Sequence, residues 1–211
     1  MKAIVIGATG AVGKELVKVL LSRPDYETVI TFTRRPLGID SPKLESHVID
    51  FDRPDTWEDL VRGDVLFSAL GTSLKQAGSK EAQYKIDHDY QLSFARAARA
   101  NGVSHFVLVS SAGADPSSSF FYLKLKGIIE KDAEALAFPG LSILRPPSLI
   151  RPHAKRPMET ISVKVLEALN VFGLFRSMAP VPVLSVARKM ADLGSRPFTG
   201  EEILNGQDVR G

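Results

Sequence analysis

The apolar run Ala3-Ile4-Val5-Ile6 passes directly into Gly7-Ala8-Thr9-Gly10-Ala11-Val12-Gly13, and this junction restricts the possible folds more than any other stretch of the chain. A β-branched run of that length reads as a buried strand, and the residues behind it place Val12, Leu16, Val19 and Leu20 on one face of a helix. The glycines mark the turn between the two. Gly7 permits a sharp bend, Gly10 lets a diphosphate approach the backbone, and Gly13 lets the helix pack closely on its strand. A phosphate there would meet the unpaired N–H groups and positive dipole end of the helix. Three glycines also end strands for local reasons, but a strand before them and a helix after them is the context a dinucleotide fold requires. Gly7, Thr9, Gly10, Ala11, Val12 and Gly13 are therefore the first candidate cofactor contacts.

The rest of the chain repeats the strand–helix alternation. Strands are expected at residues 28–33, 47–52, 64–72, 105–109 and 141–144, with helices around Trp57, Leu60 and Val61, over residues 81–101, and from Phe120 to about Ala137. That rhythm implies βαβ units, a parallel sheet and right-handed crossovers, an α/β Rossmann-like doubly wound fold with ligands at the carboxyl ends of the strands. Residues 73–80 read as a polar loop. Beyond Arg145-Pro146-Pro147 the rhythm is expected to fail. Residues 1–150 then form the dinucleotide-binding core, and 151–211 a small irregular substrate-side lobe packed on the same domain, with helices near 157–170 and 185–194. From Arg145 to Lys189 eight basic residues face two acidic ones. That bias reads either as a solvated basic surface or as a lid that attracts an anionic substrate.

Composition excludes several chemistries. The 211 residues are 44% hydrophobic and 24% charged with a net charge of only +3, so nothing forces a nucleic-acid partner. With no cysteine there is no disulfide framework, thiol nucleophile or thiolate ligand. His47, His88, His105 and His153 are scattered without metal-ligand spacing, and no Gly-x-Ser-x-Gly elbow or Walker lysine is present. No apolar segment approaches the ~18 residues that span a bilayer. The opening residues are already used as a strand, so no membrane association and a cytoplasmic address are expected.

Chemistry enters at four further places. Arg34-Arg35 follow the second strand, where an NAD-specific fold would carry an acid for the ribose 2′-hydroxyl; guanidinium groups suit a 2′-phosphate and favour NADP(H) over NAD(H). Asp52 ends the third strand, facing an adenine amino group or serving as a strand-end cap. Leu70 and Gly71 close the fourth strand against the cofactor. Tyr122 and Lys126 stand one helical turn apart, so the ammonium can stabilise a phenolate and bring a tyrosine of ordinary pKa about 10 into service as a proton donor. Ser111, or its neighbour Ser110, would polarise a substrate carbonyl from the end of the fifth strand.

The order of these residues resembles the short-chain dehydrogenase/reductase superfamily in its atypical, extended branch, and more closely the Tat-interacting-protein-like oxidoreductases. The resemblance is carried by Gly7 to Gly13, Arg34-Arg35, Leu70-Gly71-Thr72, Ile86-Asp87-His88-Asp89-Tyr90, Ser110-Ser111-Ala112-Gly113-Ala114-Asp115, Tyr122 to Gly127 and Leu144-Arg145-Pro146. It implies NADPH on the glycine turn, with Arg145 and Pro146 among its contacts. It also implies Tyr122 as catalytic acid, Lys126 as its partner and a small carbonyl compound as substrate, and it admits pairing into a homodimer. Asp87 stands where many members of the superfamily place an asparagine. A cofactor-sensing regulator without turnover is the alternative that the resemblance leaves open.

Overall fold

The computed structural model describes residues 1–150 and 179–210. β1 (Lys2–Ile6) leads through the glycine turn into α1 (Ala11–Ser22), followed by β2 (Thr28–Thr33), β3 (Leu44–Val48) and β4 (Val65–Ser68). After them come two short helices, α2 (Leu74–Ala77) and α3 (Lys80–Tyr84), a turn of π-helix (Lys85–Asp89) and α4 (Tyr90–Ala100). The second half holds β5 (His105–Val109), α5 (Phe121–Glu134), β6 (Gly140–Arg145), β7 (Leu149–Ile150), β8 (Val181–Pro182), α6 (Val183–Ser195) and β9 (Gly200–Asn205).

Seven strands form one sheet in the order β3-β2-β1-β4-β5-β6-β9, every pair parallel. Alternation along β1 sends Ala3 and Val5 to one face and Ile4 and Ile6 to the other, each into its own apolar layer. The first layer packs α1 and α6 on the sheet through Leu16, Leu20, Val186 and Met190. The second packs α4, α5 and the residues before β4 through Phe94, Ala95, Ile129 and Trp57. Helices on both faces explain why the inner strands are uninterrupted apolar runs. Strand order reverses between β1 and β4, so the loops after these strands part and leave a crevice at their carboxyl ends.

Five expectations are corrected. β3 runs over Leu44–Val48 rather than 47–52, because pairing with β2 from Val29 to Thr33 fixes its register at an exposed edge where apolar patterning is weak. The helix expected around Trp57 is two 3-10 turns: Trp57 adopts φ −138° between them, its ring stacking on Phe94 at 4.0 Å and its indole N–H donating to the Asp50 carbonyl at 3.0 Å. The long helix of 81–101 is interrupted by the π turn, and the polar loop before it contains α2. The rhythm also resumes after strand six, since α6 returns the chain to β9, which pairs with β6 from Gly140↔Gly200 to Arg145↔Asn205. Glu201 and Glu202 at its start mask this edge strand in the sequence. The helix expected at 157–170, and the basic residues 151–176, lie outside the described residues.

Candidate functional site

The glycine turn is held by sterics. Gly7 sits at φ +80°, and a Cβ there would run into the backbone of Ala69 and Leu70 at the end of β4. A Cβ on Gly13 would overlap the Gly7 carbonyl oxygen, so the first turn of α1 lies directly on the bend. Gly10 is the N-cap residue and its amide donates to the Gly7 carbonyl at 2.9 Å. No side chain caps α1 and no acidic residue occupies its first turn. The positive end of the helix is thus left open to an anion.

A cavity lies on each side of this turn. One, of about 680 Å³, is lined by Ala8, Thr9, Lys14, Lys18, Arg34 and Arg35 among others. Lys14 and Lys18, one turn apart on α1, add two cations to the expected arginines. The other, of about 510 Å³, runs from Gly10, Ala11 and Val12 past Leu70 and Gly71 to Ser110, Tyr122, Lys126 and Asp87. β1 delivers the loop, β4 leads into Leu70-Gly71, β5 leads into Ser110 and α5 brings Tyr122 and Lys126.

At the far end of the second cavity Lys126 is 4% exposed, with Nζ 3.6 Å from Asp87 Oδ2 and 5.9 Å from the centre of the Tyr122 ring. Tyr122 is 43% exposed and open to the cavity. Asp87 lies on the π turn and is fully buried; its Oδ1 accepts the Thr72 amide at 2.6 Å, while Oδ2 has no hydrogen-bond partner. Burial pushes the Asp87 carboxyl above the usual carboxylate range, with the Lys126 charge and the Thr72 amide pulling the other way. Gln91 donates to the Asp87 carbonyl and accepts from Ser68 Oγ at 2.6 Å, tying the π turn to β4.

The two serines separate. Ser110 is buried against the cavity with its hydroxyl unpartnered, whereas the Ser111 hydroxyl donates to the Ala112 carbonyl at 3.3 Å and Ser111 does not line the cavity. Three other expected contacts are engaged elsewhere and line neither cavity. Asp52 accepts from Lys85 at 2.7 Å and Tyr90 at 2.9 Å. Arg145 makes a two-pronged pair with Glu130 at 3.0 and 2.5 Å, and the Pro146 carbonyl accepts the Ala112 amide at 3.0 Å. Sequence reasoning missed Lys14 and Lys18, whose i, i+4 spacing behind the glycines was the available signal. It also missed Lys80, Gln83 and Phe121, which line the second cavity from α3 and the start of α5.

These groups fit a nicotinamide dinucleotide. The open helix end suits a diphosphate, the two cavities meet at the same turn, and the buried Ser110 hydroxyl lacks a partner in the cavity that Tyr122 and Lys126 share.

Comparison with known proteins agrees with this geometry. The pattern that defines the NAD(P)H-binding family matches residues 7–139. Protein HTATIP2 of Rattus norvegicus is 35% identical over 211 residues, covering 97% of this chain and 86% of that protein. The mitochondrial protein FMP52 of Meyerozyma guilliermondii is 43% identical over 154 residues, covering 71% of this chain and 66% of its own length. Among solved structures, the Bordetella bronchiseptica enzyme WbmH in complex with NAD+ superimposes with a TM-score of 0.73 at 16% identity, over 97% of this chain and 75% of that one, a likeness of fold. The relatives correct the expected cytoplasmic address. Similar FMP52 proteins from several yeasts are named as mitochondrial, and the composition that suggested the cytoplasm carries no address of its own.

Proposed function

The chain belongs to the NAD(P)H-binding family, and from that premise we propose that it is an NADPH-dependent oxidoreductase that reduces a small carbonyl compound, with Tyr122 as the proton donor. One observation carries this reading: Gly10, Ser110, Tyr122 and Lys126, contributed by three separate segments, line a single cavity beside an open helix N-terminus. The amides behind Gly10 would hold the diphosphate, and Arg34, Arg35 and Lys14 would face a 2′-phosphate in the other cavity. When bound, the nicotinamide supplies a hydride to the carbonyl carbon.

The chain's own residues do the remainder. Tyr122 hands its hydroxyl proton to the carbonyl oxygen, and the Ser110 hydroxyl donates a hydrogen bond to the same oxygen as negative charge gathers there. Lys126 holds a ribose hydroxyl and stabilises the phenolate left behind. Leu74, Val109 and Phe121 give the cavity an apolar wall, and Lys80 offers a countercharge to an anionic substrate.

The test is oxidation of NADPH with a panel of small carbonyl compounds, acidic ones included. Tyr122→Phe is expected to bind NADPH within about twofold of the parent while its turnover falls roughly 100-fold or more. NADPH binding with no Tyr122-dependent oxidation across the panel overturns the enzymatic reading and leaves a dinucleotide-holding protein.

A further inference from the structure

Lys126 is buried, and a buried ammonium needs a counter-charge. Among the described residues Asp87 is the one carboxylate within ion-pair distance of it. The pair does not close into a hydrogen bond: 3.6 Å separates Nζ from Oδ2, and Oδ2 makes no other hydrogen bond. The other carboxylate oxygen is pinned by the Thr72 amide, and the backbone carbonyl of Asp87 is held by Gln91, so the carboxylate is fixed and only one oxygen is left to respond.

Gly71 lies beside the pair: a Cβ there would stand 3.6 Å from Oδ2 and 3.7 Å from Nζ, and Gly71, Asp87 and Lys126 all line the cavity. Among the described residues the titratable groups lining this cavity are Lys80 on α3, Asp87 on the π turn, and Tyr122 and Lys126 on α5. His88, beside Asp87 in sequence, is turned away between Asp89 at 2.8 Å and Asp132 at 2.7 Å.

We propose that Asp87 is a positioning residue for Lys126: its carboxylate holds the ammonium in the cavity wall, and a proton on Oδ2 releases that ammonium toward the cofactor ribose and Tyr122. The proposal rests on the dinucleotide reading for its second half only. When Asp87 is ionised, the ammonium divides its field between the carboxylate and the cavity. When Oδ2 is protonated, that field is unopposed. Burial pushes this carboxyl above the usual carboxylate range, against the opposing pull of Lys126 and the Thr72 amide.

Two measurements test it on the full chain. In the cofactor-free protein, carboxyl carbon NMR follows the titrating aspartate signal that disappears in Asp87→Asn. In Lys126→Met its midpoint is expected to rise by about one unit or more. An unchanged midpoint overturns the pairing, and thermal melts of both variants establish that they fold. Calorimetry then measures NADPH affinity against pH in the parent and in Asp87→Asn, whose amide carbonyl still accepts from Thr72. The parent is expected to change affinity across the titration of Asp87, over and above any trend in the variant. Superimposable profiles overturn the coupling to the cofactor. A parent that binds no NADPH would remove the dinucleotide reading instead, and the NMR result would stand apart from it.

Discussion

Gly13 lies so close to the Gly7 carbonyl oxygen that a Cβ on Gly13 would stand far inside contact distance of it. The contact is with backbone, which cannot step aside as the end of a flexible side chain would, so the first turn of α1 and the bend after β1 are one rigid unit. Gly13→Ala is expected to lower stability by about 2–3 kcal/mol and to weaken dinucleotide binding with it. Gly38→Ala is the control: Gly38 also has a positive φ, +66°, but has nothing within 4 Å of its Cβ position. Only backbone strain of about 1 kcal/mol is expected there, with no loss of binding. Thermal melts and calorimetry separate the two.

The cavity on the other side of the turn predicts cofactor choice. Arg34, Arg35, Lys14 and Lys18 all line it, and among the described residues no acidic side chain does. Arg34→Ala is expected to weaken NADPH binding about tenfold or more and to change NADH binding by less than about twofold, since only the former carries the 2′-phosphate. A parent that binds the two cofactors equally would remove the 2′-phosphate assignment.

Ser110 and Ser111 are adjacent yet face different surroundings. The Ser110 hydroxyl is buried in the cavity wall without a partner among the described residues, and that of Ser111 donates to a main-chain carbonyl. Ser110→Ala is expected to lower kcat for carbonyl reduction by roughly 100-fold, and Ser111→Ala by less than about threefold. The reverse ranking would return the role to Ser111.

His105 predicts an acid limb of stability. Its Nε2 lies 2.9 Å from Ser142 Oγ, and that hydroxyl donates to Glu202 at 2.6 Å, so the ring nitrogen is the donor. Burial pushes its pKa down to about 4 from 6.5, with Glu202 opposing the shift and Arg196 adding to it. The unfolded chain therefore binds a proton that the folded one refuses between about pH 6.5 and 4. Stability from this residue is fully present above 6.5 and is lost as pH falls through 4. Chemical denaturation across this range is expected to show a loss of the order of 1–2 kcal/mol that His105→Gln reduces.

The sequence made β1, the glycine turn and α1 legible because their chemistry is local: β-branched residues, a forced bend and a 3.6-residue stripe lie within some twenty residues of one another. Tyr122 and Lys126 were legible for the same reason, since a spacing of four fixes a shared face once the helix is granted. Residues 44–46 and 200–205 were misread because edge strands cover only one apolar face, and their pairing is decided by the strand beside them. Asp52 and Arg145 carried plausible chemistry at plausible positions, but Lys85, Tyr90 and Glu130, distant in sequence, had already engaged them.

What the chain's own order of residues determined was the alternation of strands and helices and the placement of an uncapped helix N-terminus at the first of their junctions. Periodicity and glycine sterics act over one turn or one strand, so a linear reading can carry them. Which of two neighbouring serines faces the cavity, and that Asp87 lies buried against Lys126, were decided only when β4, β5, the π turn and α5 came together. Burial and counter-charge belong to a volume shared by distant segments, and no single stretch of sequence contains it.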